Sequence, residues 1–220
     1  MISHKTTLGH GPLANDLALR NQLQQSSIFD AVMGNDKPHI TGVCSCHSGA
    51  GTSSVALGLA IMIQERSGEP VLLIEANCRT PVLKKAFELS PKKGFEAFAK
   101  QEADANECIV ELPATGVSAI VAEALATPLP LMKAAKEQLS QFESAFKHII
   151  VDFPPVLPYP DTGIMAAATD GVLLVLKAEE TRWQVAKETK SKLESADVNL
   201  LGAVLNKKPH YIPSWLYRLL

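Results

Sequence analysis

The sequence predicts an α/β fold with a doubly wound, mostly parallel sheet, on three observations. From residue 40 onward, short apolar, β-branched runs alternate with longer stretches of helical spacing, the pattern of repeated β-α units. Five of the six strand candidates are apolar on both faces, as strands are when helices cover a sheet on each side. The chain has 220 residues, 46% hydrophobic and 20% charged, with no low-complexity linker, so a single domain with an ordinary core is expected.

Residues 1–35 read as an N-terminal helical segment, with amphipathic spacing at 12–24. The domain proper is expected over 36–208, followed by a tail over 209–220. Strands fall at 40–44, 71–75, 117–121, 148–152, 172–176 and 200–205. Helices are expected between them at 53–66, 81–89, 129–146, 162–168 and 181–196. The stretch 87–127 is the least regular, because Pro91, Gly94, Pro113 and Gly116 punctuate it. The tail carries Trp215, Leu216, Tyr217, Leu219 and Leu220, and reads either as a strap folded over the sheet or as a docking segment for a partner.

Several classes are disfavoured at once. The formal net charge of -2 offers no global basic field for nucleic acid, so none is expected as a partner. The longest apolar runs are strand-length, short of the ~18 residues a spanning helix needs, and the N-terminus lacks a signal-peptide core; a cytoplasmic location is expected. Cys44, Cys46, Cys78 and Cys108 read as free thiols, since no C-x-x-C offers a zinc chelate.

Three segments could carry chemistry. Residues 46–54, Cys-His-Ser-Gly-Ala-Gly-Thr-Ser-Ser, lie between a strand and a helix, where glycines and the helix N-terminus can cradle a phosphate on backbone N–H groups. Against G-x-x-x-x-G-K-[ST], Gly51 and Ser53 match, Cys46 stands at the first glycine and Thr52 at the lysine. Alone, such a loop is either a nucleotide site or a tight turn. Residues 71–81 deliver Glu75, Asn77 and Arg79 at the carboxyl end of a strand, the edge where open α/β sheets bind ligands. Residues 148–156 end a strand in Asp152, as magnesium-nucleotide enzymes place an acid beside the metal. A strand-end acid can equally be a helix cap or a surface charge.

In order and spacing, HSGAGTSS, LLIEANCRTP, IIVDFPPV, Asp161, TDGVLLVLKAEETR and LLGAVLNKK resemble the cytoplasmic domain of bacterial tyrosine kinases of the CpsD/CapB/Wzc type, relatives of the MinD/ParA P-loop ATPases. The resemblance runs from about Pro12 to Tyr211 and implies a P-loop NTPase fold in a protein of capsule or exopolysaccharide assembly. It implies a nucleotide cradle at Gly49, Ala50, Gly51, Thr52, Ser53 and Ser54, with Arg79 nearby and Asn206 on the adenine edge. It makes Ser53 and Asp152 the magnesium ligands, and Asp152 and Glu75 the catalytic acids. The family lysine is Thr52 here, and its second acidic motif has become Glu75 and Asn77.

With two of its charged groups replaced, the chain is expected to transfer phosphate poorly, and either to bind Mg-ATP or Mg-ADP weakly or to bind no nucleotide and act as an adaptor, since phosphoryl transfer rests on positioning and charge stabilisation. The tail has only Tyr211 and Tyr217 in place of the family's tyrosine cluster, and Ala14 and Leu17 replace two charges of its ring-forming helix, leaving Arg20. The resemblance implies as partner an inner-membrane polysaccharide co-polymerase, the Wzz-like chain-length protein, with homo-oligomers as a further assembly. The chain would then sit in the cytoplasm, peripheral to the inner membrane through that partner. Two other roles stay open: an active autokinase in which Lys177, Lys207 or a lysine from a partner subunit replaces the missing charge, and a MinD/ParA-like positioning ATPase.

Overall fold

The computed structural model describes residues 27–33, 39–125 and 138–208. Its centre is a seven-stranded sheet of order β3-β4-β2-β5-β1-β6-β7. The strands are β1 (His39–Ser45), β2 (Val71–Glu75), β3 (Val110–Leu112), β4 (Val117–Ile120), β5 (His148–Asp152), β6 (Gly171–Lys177) and β7 (Leu200–Asn206). All pairings are parallel except that of β3 with β4. The six strands read from the sequence are all present; β3 is additional, a three-residue hairpin arm too short and too mixed to register as an apolar run.

Alternate side chains of each central strand enter two separate cores, as the two-residue period of a strand requires. On one face Val43, Ile150 and Leu173 meet α1 (Ser27–Met33) and α2 (Thr52–Ser67). On the other, Ile40, Cys44, Ile149 and Val151 meet α4 (Phe95–Ala99), α6 (Asp161–Ala166) and α7 (Trp183–Ser195). Helix α2 is buried continuously from Val55 to Ile63, apolar all round because the sheet is not its only neighbour. Two very short helices complete the set: α3 (Leu83–Ala86), just before the irregular stretch, and α5 (Ala105–Cys108), within it.

Two helices depart from expectation. The segment 81–89 forms only the single turn α3: Glu88 takes φ +53° and the Leu89 N–H returns to the Lys84 carbonyl at 2.9 Å, which closes the turn. Of 129–146, the described part carries a 3₁₀ turn, Leu139–Phe142, in place of a helix. Leu139 and Phe142, three apart, share one side of that tighter turn, and Phe142 meets Phe98 at 5.1 Å and Phe146 at 6.4 Å. The helix expected at 12–24, residues 129–137 and the tail at 209–220 lie outside the described residues. No helix among those described is long and apolar enough to cross a membrane.

Candidate nucleotide-binding cleft

The carboxyl ends of β1, β2, β5 and β7 converge on one edge of the sheet, and the residues singled out in the sequence arrive there with them. Between β1 and α2 the chain makes two left-handed turns, Gly49 at φ +84° and Gly51 at φ +85°. Gly51 is the residue from which α2 springs, and no side chain caps that helix. A glycine is needed at 51 for a second reason: a Cβ there would stand 2.4 Å from Asn206 Nδ2. The resulting cleft has a volume of about 300 Å³ and is lined by the loop glycines, Thr52, Ser53, Ser54, Asn77 and Lys207.

Cys46, at the position of the first motif glycine, is 1% exposed and packs into the core, so this end of the loop is fastened by side-chain burial. Thr52 is buried as the first residue of α2. It carries no charge and takes the place from which a lysine would reach the phosphates.

Asp152 ends β5 directly behind the loop. It is 1% exposed and neither carboxyl oxygen has a hydrogen-bond partner. Burial pushes its pKa up to about 8; the Ser53 hydroxyl beside it pulls the value partly back without completing a hydrogen bond, and the Glu75 charge raises it further. A buried acid with two orphaned oxygens next to a serine at a helix start is a donor set suited to a hard divalent cation.

Glu75 is engaged by the backbone. It is completely buried, its Oε1 accepts from the Val82 and Leu83 N–H groups at 2.6 and 2.9 Å, and its Oε2 accepts from the Ala122 N–H at 3.1 Å. Burial raises its pKa and these amides lower it. Its carboxylate is a staple between the start of α3 and the chain after β4, and neither Glu75 nor Asp152 is among the residues that line the cleft.

Arg79 is likewise occupied. Its guanidinium donates to Asp161 Oδ2 at 3.2 Å and lies 3.8 Å from the centroid of the Tyr159 ring, tying the chain after β2 to the chain after β5. Asn77 folds back on Thr80 in a local turn, its Oδ1 accepting from the Thr80 N–H at 3.3 Å and its Nδ2 donating to Thr80 Oγ1 at 3.1 Å. Asn206 ends β7 with its Nδ2 donating to the Ala50 carbonyl at 2.9 Å, so this amide holds the loop itself. Pairings such as Arg79 with Asp161 leave no local sequence signal. Lys177 ion-pairs with Glu180 and lines a different cavity, of about 320 Å³, with His47, Ala50 and Arg182.

No family model matches the chain. It is 26% identical over 201 residues to the tyrosine-protein kinase CpsD of Streptococcus agalactiae, covering 87% of each chain. It is 28% identical over 172 residues to the tyrosine-protein kinase YwqD of Bacillus subtilis, covering 77% of this chain and 71% of that one. Among solved structures, the kinase domain of the Escherichia coli tyrosine kinase ETK is similar at a TM-score of 0.74 and 23% identity, over 83% of this chain and 73% of that one. The Pyrococcus furiosus cell division ATPase MinD is similar at a TM-score of 0.67 and 19% identity, over 80% of this chain and 76% of that one. In sequence the chain is similar to bacterial tyrosine kinases, and its fold is the P-loop NTPase fold seen in their kinase domains and in MinD- and ParA-like ATPases.

Proposed function

We propose that this protein is a kinase-like P-loop subunit that binds Mg-ATP or Mg-ADP weakly, transfers phosphate poorly, and regulates or scaffolds capsule or exopolysaccharide assembly. The observation that carries the reading is a cradle kept in shape around a missing charge. Gly49 and Gly51 hold left-handed conformations and Asn206 is hydrogen-bonded to Ala50, while Thr52 stands where the lysine should be.

The residues present fit a magnesium nucleotide. Backbone N–H groups at 49–53 would hold the phosphates, and Ser53 and Asp152 the metal, whose two charges would offset the phosphate oxygens. Asp152, whose pKa burial raises to about 8, would give up its proton on taking up the cation. With Glu75 committed to backbone amides and Asn77 to Thr80, no acidic side chain among the described residues lines the cleft to receive a proton from a hydroxyl. Losing one aimed charge costs roughly a hundredfold in rate or more, which supports a regulatory role over an efficient kinase.

The partner we propose is the inner-membrane chain-length protein of the same machinery, which would bring this chain to the membrane from the cytoplasmic side. The test is a titration with Mg-ADP and Mg-ATP followed by melting temperature, beside an assay of labelled phosphate transfer to tyrosine. Expected is a thermal shift at millimolar nucleotide, about 2.7 kcal/mol at 100 times the dissociation constant, with negligible transfer. Thr52→Lys is expected to tighten binding and raise transfer. Rapid transfer by the unaltered chain, abolished by Asp152→Ala, would replace this reading with that of an active autokinase.

A further inference from the structure

Although position 52 lacks a lysine, the cleft contains a cation. Lys207, the first residue after β7, lines it beside Gly51, Thr52 and Ser53, and is the one charged side chain among the described residues that do so. Its position follows from its neighbours. Asn206 is held to the Ala50 carbonyl, which fixes where the chain leaves β7. Lys207 then adopts φ +57°, a left-handed conformation that side-chain-bearing residues avoid unless their surroundings impose it. The turn carries its stem over the loop, where Cε comes 3.5 Å from the point a Cβ on Gly51 would occupy. The ammonium is one bond beyond that carbon. Of the other basic groups near the loop, Lys177 is paired with Glu180 and Arg79 with Asp161 and Tyr159, while His47 and Arg182 line the separate cavity beside Ala50.

We propose that Lys207 is the phosphate-binding cation of this cleft, supplied from the end of β7 in place of the absent loop lysine, with a nucleoside di- or triphosphate as the ligand. The inference rests on the nucleotide reading above. A lysine brought from this side of the loop supplies charge to a bound phosphate without the loop lysine's place between the two terminal phosphates. Binding and transfer are thereby separated.

Calorimetric titration with Mg-ADP and with adenosine tests it. Lys207→Met keeps the stem and removes the charge; it is expected to weaken ADP binding by roughly tenfold or more, the scale of one charge at about 5 Å in a partly screened site, and to leave adenosine binding unchanged. Lys207→Arg should retain most of the ADP affinity, and Thr52→Lys should restore it in the Lys207→Met background. Lys208→Met makes the same change in net charge outside the cleft lining and should leave ADP binding as it was. Equal ADP affinity in Lys207→Met and the unaltered chain overturns the assignment while the nucleotide reading stands. Equal weakening by Lys208→Met overturns it in favour of diffuse charge. No ADP binding by the unaltered chain overturns both.

Discussion

Asp152 links stability to pH more strongly than its strand position suggests. The folded chain holds its proton up to about pH 8, whereas the unfolded chain releases it near the ordinary value of 3.8. Protonated Asp152 therefore favours the folded state fully below about pH 4, and this contribution is lost as pH rises toward 8, beyond which a buried carboxylate must be tolerated. Asp152→Asn removes the titration and nearly keeps the shape. The difference in unfolding free energy between variant and unaltered chain should move in the variant's favour between pH 5 and pH 8, by an order of a few kcal/mol, and level off above. Urea unfolding at pH 5, 7 and 9 measures it; a difference independent of pH would show that the carboxyl titrates normally. The sequence located this acid because a strand ending in Asp is a local pattern. Its burial behind Ser53 depends on how β5 sits beside β1 and β2, which no local pattern records.

Glu75 and Gly51 show how single positions hold elements together. Glu75 joins β2, α3 and the segment after β4 through three backbone amides. Glu75→Ala leaves these donors buried and is expected to cost about 3 kcal/mol or more, with Glu75→Gln costing less because one oxygen remains. Denaturant unfolding checks the order; a free catalytic acid would show the reverse, with stability unchanged. In the sequence, Glu75 at a strand end looks the same as Asp152, and only the paths of residues 82–83 and 122 separate the staple from the site. Gly51→Ala meets both a left-handed backbone and Asn206 Nδ2. A loss of about 1–3 kcal/mol is expected, partly recovered in the Asn206→Ala background, where the clash goes but the backbone strain stays. Thermal melts of the two single variants and the double variant measure that recovery. The glycine spacing was legible because phosphate loops share it; the amide that braces the loop comes from 156 positions away.

For the whole molecule, the sequence told which segments were strands better than it told their neighbours. Apolar runs report burial on two faces, and six of the seven strands were found that way; the order in which they pair is set by the crossover helices and is absent from composition. Helix lengths at 81–89 and in the described part of 129–146 were overread because their helical spacing is answered by short turns, with Leu83, Leu139 and Phe142 still buried. Amide hydrogen exchange should be slowest in β1, β2, β5 and β6, each paired on both edges, and faster in β3, which has β4 alone as a strand partner. The order of the sheet also bears on how the chain reaches its fold. β1, buried beside the middle strand β5, pairs with strands that begin at residues 148 and 171 and with none of the strands that come before residue 148. During synthesis β1, which is buried on both faces in the fold, therefore waits unpaired until most of the polypeptide has emerged. Folding dominated by such distant closures is slow, and shortened chains ending before β5 should aggregate instead of forming half a domain.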